Sequence, residues 1–237
     1  MTYVEWPRRV AALGQFRVTN VEKPTLDSSQ AHHLRKVLRA RDGEEVVVTN
    51  GQGSWAIGVV DGDGITRVSD VQRDPEAPAT TLYLSPLKGD HGDWAVVKAT
   101  EVGVSRIVPL ISERAIVKMK GESREKVLAR WRRLVGEAAS QCRRTYDVVI
   151  AEPVAVANVP GDVAVCDFDG SGDWRGVASV AVGPEGGWAP NEWGDQRRRV
   201  GLGPTVLRAE TAGVLGAALL AFQAGGWGFT LNGVGNG

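Results

Sequence analysis

Val182-Gly183-Pro184-Glu185-Gly186-Gly187 ends a β-branched run in a glycine-rich turn. Residues without a Cβ let backbone N–H groups approach a ligand closely and permit positive φ. In open α/β sheets, ligands bind beyond the carboxyl ends of strands, where such a loop would lie. The loop lacks the GxxxxGK[ST] pattern, and no GxGxxG follows the first strand of the region, so it reads poorly as a triphosphate or dinucleotide site. A second group, Leu202-Gly-Pro-Thr-Val-Leu-Arg-Ala-Glu-Thr-Ala212, feeds Arg208, Glu210 and Thr211 into the start of a helix. Glu210 and Thr211 suit a first helical turn through capping and the dipole. Arg208 sits at the unfavourable end of that dipole, which points to a ligand or a carboxylate partner. Lys98 and Glu101 have the spacing of a surface i,i+3 pair. Cys142 has no histidine nearby in sequence and reads as a packed residue rather than a nucleophile.

The charge pattern adds a partner. Lys and Arg number 28, as do Asp and Glu, which alone argues against a strongly cationic nucleic-acid binder. Locally the balance is uneven: Arg114 to Arg144 holds ten Lys/Arg and three acids, and Thr145 to the end holds five and ten. His32 to Arg41 contains no acid at all. Two acid-poor runs in a neutral chain favour a polyanion partner over a merely solvated face. The three histidines, His32, His33 and His91, and the two cysteines, Cys142 and Cys166, show no metal-ligand spacing, so no metal is expected. The N-terminus lacks the apolar core of a secretory signal, and the longest apolar stretch, Ala212 to Phe222, is about half of a membrane span. A cytoplasmic protein is expected.

The elements that must position these residues fall into two groups. Residues 1–72 read as a small β-rich domain. Glu45–Thr49 and Trp55–Val60 are β-branched runs bounded by Asp42-Gly43, Asn50-Gly51 and Asp61-Gly62, which suit tight turns. Asp27-Ser28-Ser29 caps a helix whose apolar stripe is Leu34, Val37 and Leu38. Residues 73–80, polar and with two prolines, read as a linker. From 81 to 237, strands at 81–85, 106–111, 148–150, 162–166 and 179–182 alternate with helices at 94–104, 123–141 and 209–222. The first of those helices presents Trp94, Val97 and Val102 near one face, and a further helix begins near Pro190-Asn191-Glu192. Pro109 marks the end or a bulge of its strand. The alternation implies an α/β domain with a mostly parallel sheet.

Taken in order, HHLRKVLR, KATEVGV, PLISERAIVK, RWRRLVGEAASQCRR, VGPEGGW and LGPTVLRAETA resemble the RsmE family of 16S ribosomal RNA uridine-N3 methyltransferases. The resemblance covers nearly the whole chain. It implies an N-terminal PUA-like β-barrel and a trefoil-knotted α/β methyltransferase domain of the SPOUT class. It further implies S-adenosyl-L-methionine as cofactor, 16S rRNA of the small subunit as substrate and a homodimer built partly on Val214, Leu215, Leu219 and Phe222. The cofactor would be enclosed by Val182, Gly183, Pro184, Glu185, Gly186 and Gly187 on one side and Leu202, Gly203, Val206 and Leu207 on another, with residues after Cys166 as a third loop. Three departures stand out. Trp188-Ala189-Pro190 replaces the usual Ser or Thr cap, Ala209 replaces a threonine, and Asp167–Gly172 differs from the family segment.

Methylation at uracil N3 requires an oriented base, stabilisation of developing negative charge, and a proton acceptor. Arg208 is the candidate for the charge, and Glu210 for accepting the proton or orienting the base. RNA contacts are expected from Arg8, Arg9, Arg35, Lys36 and Arg39 in the N-terminal domain. Arg114, Arg132, Arg133, Arg143 and Arg144 are expected to supply them in the methyltransferase domain. Two other readings remain at this level: an RNA-binding module without catalysis, and a transferase using the glycine loop for phosphate.

Overall fold

The computed structural model describes residues 5–76 and 78–225. Ala77, inside the expected linker, lies outside the described residues. The described residues form two compact units, 5–76 with Gly136–Asp147, and Pro78–Val135 with 148–225.

The first unit contains α1 (Trp6–Ala11), β1 (Gln15–Arg17), α2 (Ser28–His32), β2 (Glu45–Thr49), β3 (Ser54–Asp61), β4 (Gly64–Arg67) and β5 (Gln72–Arg73). The sheet order is β1-β2-β3-β4, with β5 also on β3, and only the β1–β2 pair is parallel. Val46, Val47 and Val48 are all buried because both faces of β2 are covered. Val46 and Val48 meet Phe16, Leu34 and Ala56, whereas Val47 meets Ala12, Trp55 and Ile57. Burial on both faces explains why the strand reads as a continuous apolar run rather than an alternation.

Asp27 caps α2 through a reciprocal box: its side chain accepts from Gln30 N at 2.8 Å, and Gln30 Oε1 accepts from Asp27 N at 3.1 Å. A π-helical turn, His33–Val37, then continues the helix and buries Leu34. Val37, expected on the apolar stripe, is instead 60% exposed, because the wider turn rotates it off the core face.

Two expected RNA contacts are corrected here. Arg9 is 1% exposed and forms a salt bridge with Asp74 at 2.9 Å, under the Trp55 ring at 4.4 Å. Arg143 donates to the carbonyls of Arg9, Ala12 and Ser140 at 2.7–3.1 Å. Burial lowers its guanidinium pKa, with the Arg9 charge adding to the effect. Arg9 is sealed from a phosphate, and the partly buried Arg143 is committed to backbone carbonyls of its own unit. The domain limits differ as well. Residues 136–147 group with the N-terminal unit, so Arg143 and Arg144 are part of it rather than of the methyltransferase unit. Residues 73 and 74 are not linker, since Arg73 pairs with β3 beside Gln72 and Asp74 is a core residue.

The second unit contains β6 (Thr81–Leu84), α3 (His91–Val102), β7 (Arg106–Ile111), α4 (Gly121–Gln141), β8 (Val149–Ile150), β9 (Val154–Ala155), β10 (Ala164–Ser171), β11 (Ser179–Val182), β12 (Arg199–Val200) and α5 (Ala209–Gln223). The end of α4 from Gly136 belongs to the first unit. The sheet runs β12-β10-β11-β6-β7-β8, with β9 also on β7, and every pairing is parallel.

Pro109 neither ends β7 nor bulges it. It pairs with Leu84 of β6, and on the other edge it falls between the β8 pairing at 106–107 and the β9 pairing at 110–111. Its missing N–H therefore lies where no ladder partner is required. On α3 the buried face is Gly92, Ala95, Val96, Ala99 and Thr100; of the three residues expected together, Val102 packs against the core, Val97 is half-buried and Trp94 is 47% exposed. Small residues prevail there because α5 packs closely: a Cβ at Gly213 would lie 3.1 Å from Leu84 and 3.8 Å from Ala95. No helix forms at 190–192. That segment is a series of turns, with Asn191 at φ 60°.

Candidate functional site

The carboxyl ends of β6, β11 and β12, together with β10, surround a cavity of about 1290 Å³ within the second unit. The segment after β6 carries Lys88, Gly89 and His91, and the segment after β11 runs from Gly183 to Trp193. β10 contributes Cys166, Asp167 and Phe168. Residues 202–203 and 205–210 bring the last wall into the start of α5.

Local contacts fix the glycine loop. Gly187 N donates to Pro184 O at 2.9 Å, closing a turn in which Gly187 adopts φ 66°. A side chain there would be strained. Gly186 has no positive φ, and a Cβ on it would meet Arg114 Cβ at an ordinary 3.5 Å. Of the two glycines that could take a positive φ, Gly187 alone does so. Arg114 Nη1 donates to Gly186 O at 3.1 Å, and Lys88 N donates to Glu185 Oε1 at 2.9 Å. Trp188 Nε1 donates to Cys166 O at 2.9 Å, which ties the loop to β10. Its ring stands edge-on to Trp193 at 5.0 Å. Glu192 does not cap a helix. Its carboxylate accepts from Ala189 N at 2.9 Å and from Glu113 N at 2.7 Å.

The remaining walls differ in character. Burial, with the neighbouring Asp167 charge, pushes the Cys166 thiol up to about 12, so it stays protonated near neutrality. Asp167 pairs with Arg199. Phe168 and Val206 line the cavity yet are 76% and 79% exposed, giving it an apolar rim. Arg208 is the exposed N-cap residue of α5 and makes no side-chain capping bond. Glu210, in the first turn, has a side chain only 13% exposed, with Oε1 3.2 Å from His91 Nδ1.

The ten residues expected around the cofactor all line this one cavity, as do Arg208 and Glu210. Arg114, expected as an RNA contact, lines it too. Arg132 pairs with Glu152 at 3.0 Å. Sequence reasoning missed Lys88 and His91. The pattern Lys88-Gly89-Asp90-His91, a strand end followed by a glycine turn and a helix start, is the signal that could have found them.

Residues 75–221 match an RNA methyltransferase domain, and residues 26–66 match an RNA methyltransferase PUA domain. The chain is thus an RNA methyltransferase with a PUA domain. It is 30% identical over 228 residues to ribosomal RNA small subunit methyltransferase E of Mycobacterium bovis, covering 85% of this chain and 87% of that one. The Synechocystis protein of the same name is 30% identical over 213 residues, covering 79% and 69%. The crystal structure of the Neisseria gonorrhoeae protein of that name, bound to S-adenosyl methionine, matches with a TM-score of 0.75 at 28% identity, over 88% of this chain and 97% of that one. The chain belongs to the ribosomal RNA small subunit methyltransferase E family, whose members are S-adenosylmethionine-dependent rRNA methyltransferases.

Proposed function

We propose that this chain methylates N3 of a uridine in 16S ribosomal RNA, with its cofactor held by residues 182–187, 202–203, 206–207 and 166–168. The observation that carries the reading is the cavity at the strand ends, about 1290 Å³ and walled by the glycine loop. A pocket for one small ligand occupies roughly 300–1,000 Å³, so this one has room for a cofactor and a nucleobase together. Its walls fit S-adenosylmethionine. Val182, Leu202, Val206 and Leu207 offer apolar surface to an adenosine, and Gly183, Gly186 and Gly187 bring backbone without side chains to the cavity wall. Bound there, the cofactor supplies an electrophilic methyl group on a sulfonium.

The chain's own residues do the rest. Arg208, exposed at the head of α5 and lining the cavity, stabilises negative charge on the uracil as N3 loses its proton. Glu210, largely buried beside it, acts on the proton or on the groups that move it. Phe168 and Val206 at the rim suit a base drawn out of its stack. Arg8, Arg35, Lys36, Arg39 and Arg144 in the first unit and Arg114, Arg132 and Arg133 in the second supply phosphate contacts. Lys36 and Arg39 are exposed. Val214, Leu215, Leu219 and Phe222 are only half-buried on α5 and form part of a homodimer surface. Among the described residues no helix is long and apolar enough to cross a membrane. An rRNA substrate is the reason to propose a cytoplasmic location.

Incubation with S-adenosylmethionine and small subunits from a strain lacking the enzyme tests this. Nucleoside mass spectrometry should find 3-methyluridine in 16S rRNA. Methyl groups on another base or on the ribose would overturn the reading. Light scattering at micromolar concentration should give twice the chain mass.

A further inference from the structure

We infer that His91 takes the N3 proton from the target uracil, with Glu210 as the residue that sets its tautomer and orientation. The inference rests on the methyl-transfer reading above and names the acceptor that reading requires.

His91 opens α3 and Glu210 lies in the first turn of α5, so each stands on a helix rather than on a free loop. The close α3–α5 packing around Gly213 holds those helix starts in register. His91 Nδ1 is 3.2 Å from Glu210 Oε1, within donor–acceptor distance. A carboxylate that close to Nδ1 favours the tautomer with its proton on Nδ1 and the lone pair on Nε2. Both side chains line the cavity, and His91 is the more accessible of the two, 47% exposed against 13% for Glu210.

The other candidate acceptors around the cavity are engaged. Asp167 is paired with Arg199, Glu185 accepts from Lys88 N, and Glu192 accepts from two backbone N–H groups. Cys166 holds its proton because burial raises its pKa. Lys88 and Arg208 are cations. Imidazole is also the side chain most often used for proton transfer near neutral pH. In the step itself the uracil N3–H bond breaks and its electron pair stays on N3. The proton forms a bond to Nε2, and the resulting imidazolium faces the Glu210 carboxylate. Half-exposed, His91 then passes the proton to water.

Two measurements test this on the full-length protein. In the first, His91→Ala and His91→Gln should bind S-adenosylmethionine with wild-type affinity by calorimetry while kcat on rRNA falls by about 10²–10⁴-fold. Added imidazole should restore part of the activity of His91→Ala, since the site is open enough to admit it. In the second, ¹⁵N NMR of the imidazole, with no cofactor or RNA present, should find the His91 proton on Nδ1 in the wild type. In Glu210→Ala that proton should redistribute between the two ring nitrogens. Wild-type kcat in both His91 variants, loss of cofactor affinity together with activity, or absence of imidazole rescue would overturn the inference. A wild-type protein that shows the Nδ1–H tautomer and binds S-adenosylmethionine yet makes no 3-methyluridine would overturn the proposed function while leaving the His91–Glu210 relationship standing.

Discussion

Arg9 and Asp74 meet inside the N-terminal unit, with Nη1 2.9 Å from Oδ2 and both side chains almost sealed from solvent. Asp74 also accepts from Trp55 Nε1 at 3.0 Å and Thr145 Oγ1 at 2.7 Å, so one carboxylate joins α1, β3 and the segment after α4. Removing it would strand a buried guanidinium. Asp74→Ala should lower stability by about 3–5 kcal/mol, the usual effect of leaving one member of a buried ion pair alone. Urea unfolding followed by tryptophan fluorescence measures it, and a change under 1 kcal/mol would mean that water reaches Arg9.

The glycine loop separates backbone from side-chain demands. Gly187→Ala forces a Cβ into the left-handed region, at a strain of roughly 1–2 kcal/mol, and should weaken S-adenosylmethionine binding about tenfold or more. Gly186→Ala meets only an ordinary contact and should bind nearly as the wild type does. Calorimetry on the pair decides the matter. Equal losses in both would assign the effect to bulk rather than to conformation.

Cys166 sets a pH dependence with a definite sign. Its thiol is pushed up to about 12 from an ordinary value of 9.0. The protonated form therefore stabilises the fold fully below about pH 9, and that contribution is lost as pH rises toward 12. Stability should fall between pH 9 and 10.5 in the wild type and fall less in Cys166→Ala. At pH 8, Cys166 should react with iodoacetamide more slowly than a free thiol of ordinary pKa. Rapid alkylation at Cys166 would sink this account.

For RNA binding, Lys36 and Arg39 are the informative pair. Arg35 donates to Ala40 O and pairs with Asp42, so its removal mixes folding with binding. Arg39 has φ 55°, which asparagine tolerates better than alanine does. Lys36→Ala with Arg39→Asn should reduce the salt slope of RNA binding by roughly 1 unit per lost phosphate contact, with cofactor affinity unchanged. Filter binding across a salt series reads this out, and an unchanged slope would make that helix a solvated face.

Much of the architecture was legible because local signals are strong where backbone demands are local. The runs Glu45–Thr49, Arg106–Ile111 and Ser179–Val182 appear as β2, β7 and β11 with the expected limits, and Asp27 caps its helix through Gln30. The strand-end glycines pointed to a cavity that all ten cofactor candidates line. A trefoil knot is an expectation that rests on the family resemblance alone, since general topology rules disfavour threaded chains.

What the sequence determined by itself was the strand pattern, the glycine loop and the family motifs, because hydrophobic period, turn chemistry and motif order are properties of contiguous residues. What only the tertiary structure decided was which charges are free and which groups meet. Arg9 and Lys36 look alike as cations of the N-terminal region, yet one is buried against a carboxylate 65 residues away and the other is exposed. Gly136–Asp147 follows the helical pattern of its own region but joins the N-terminal unit, through Asp147 N to Gly51 O and Gly53 N to Thr145 O at 2.9 Å. His91 and Glu210, more than a hundred positions apart, come within 3.2 Å only because α3 and α5 pack side by side. Such pairings depend on burial and on the closure of long loops, and neither is written in the residues nearby.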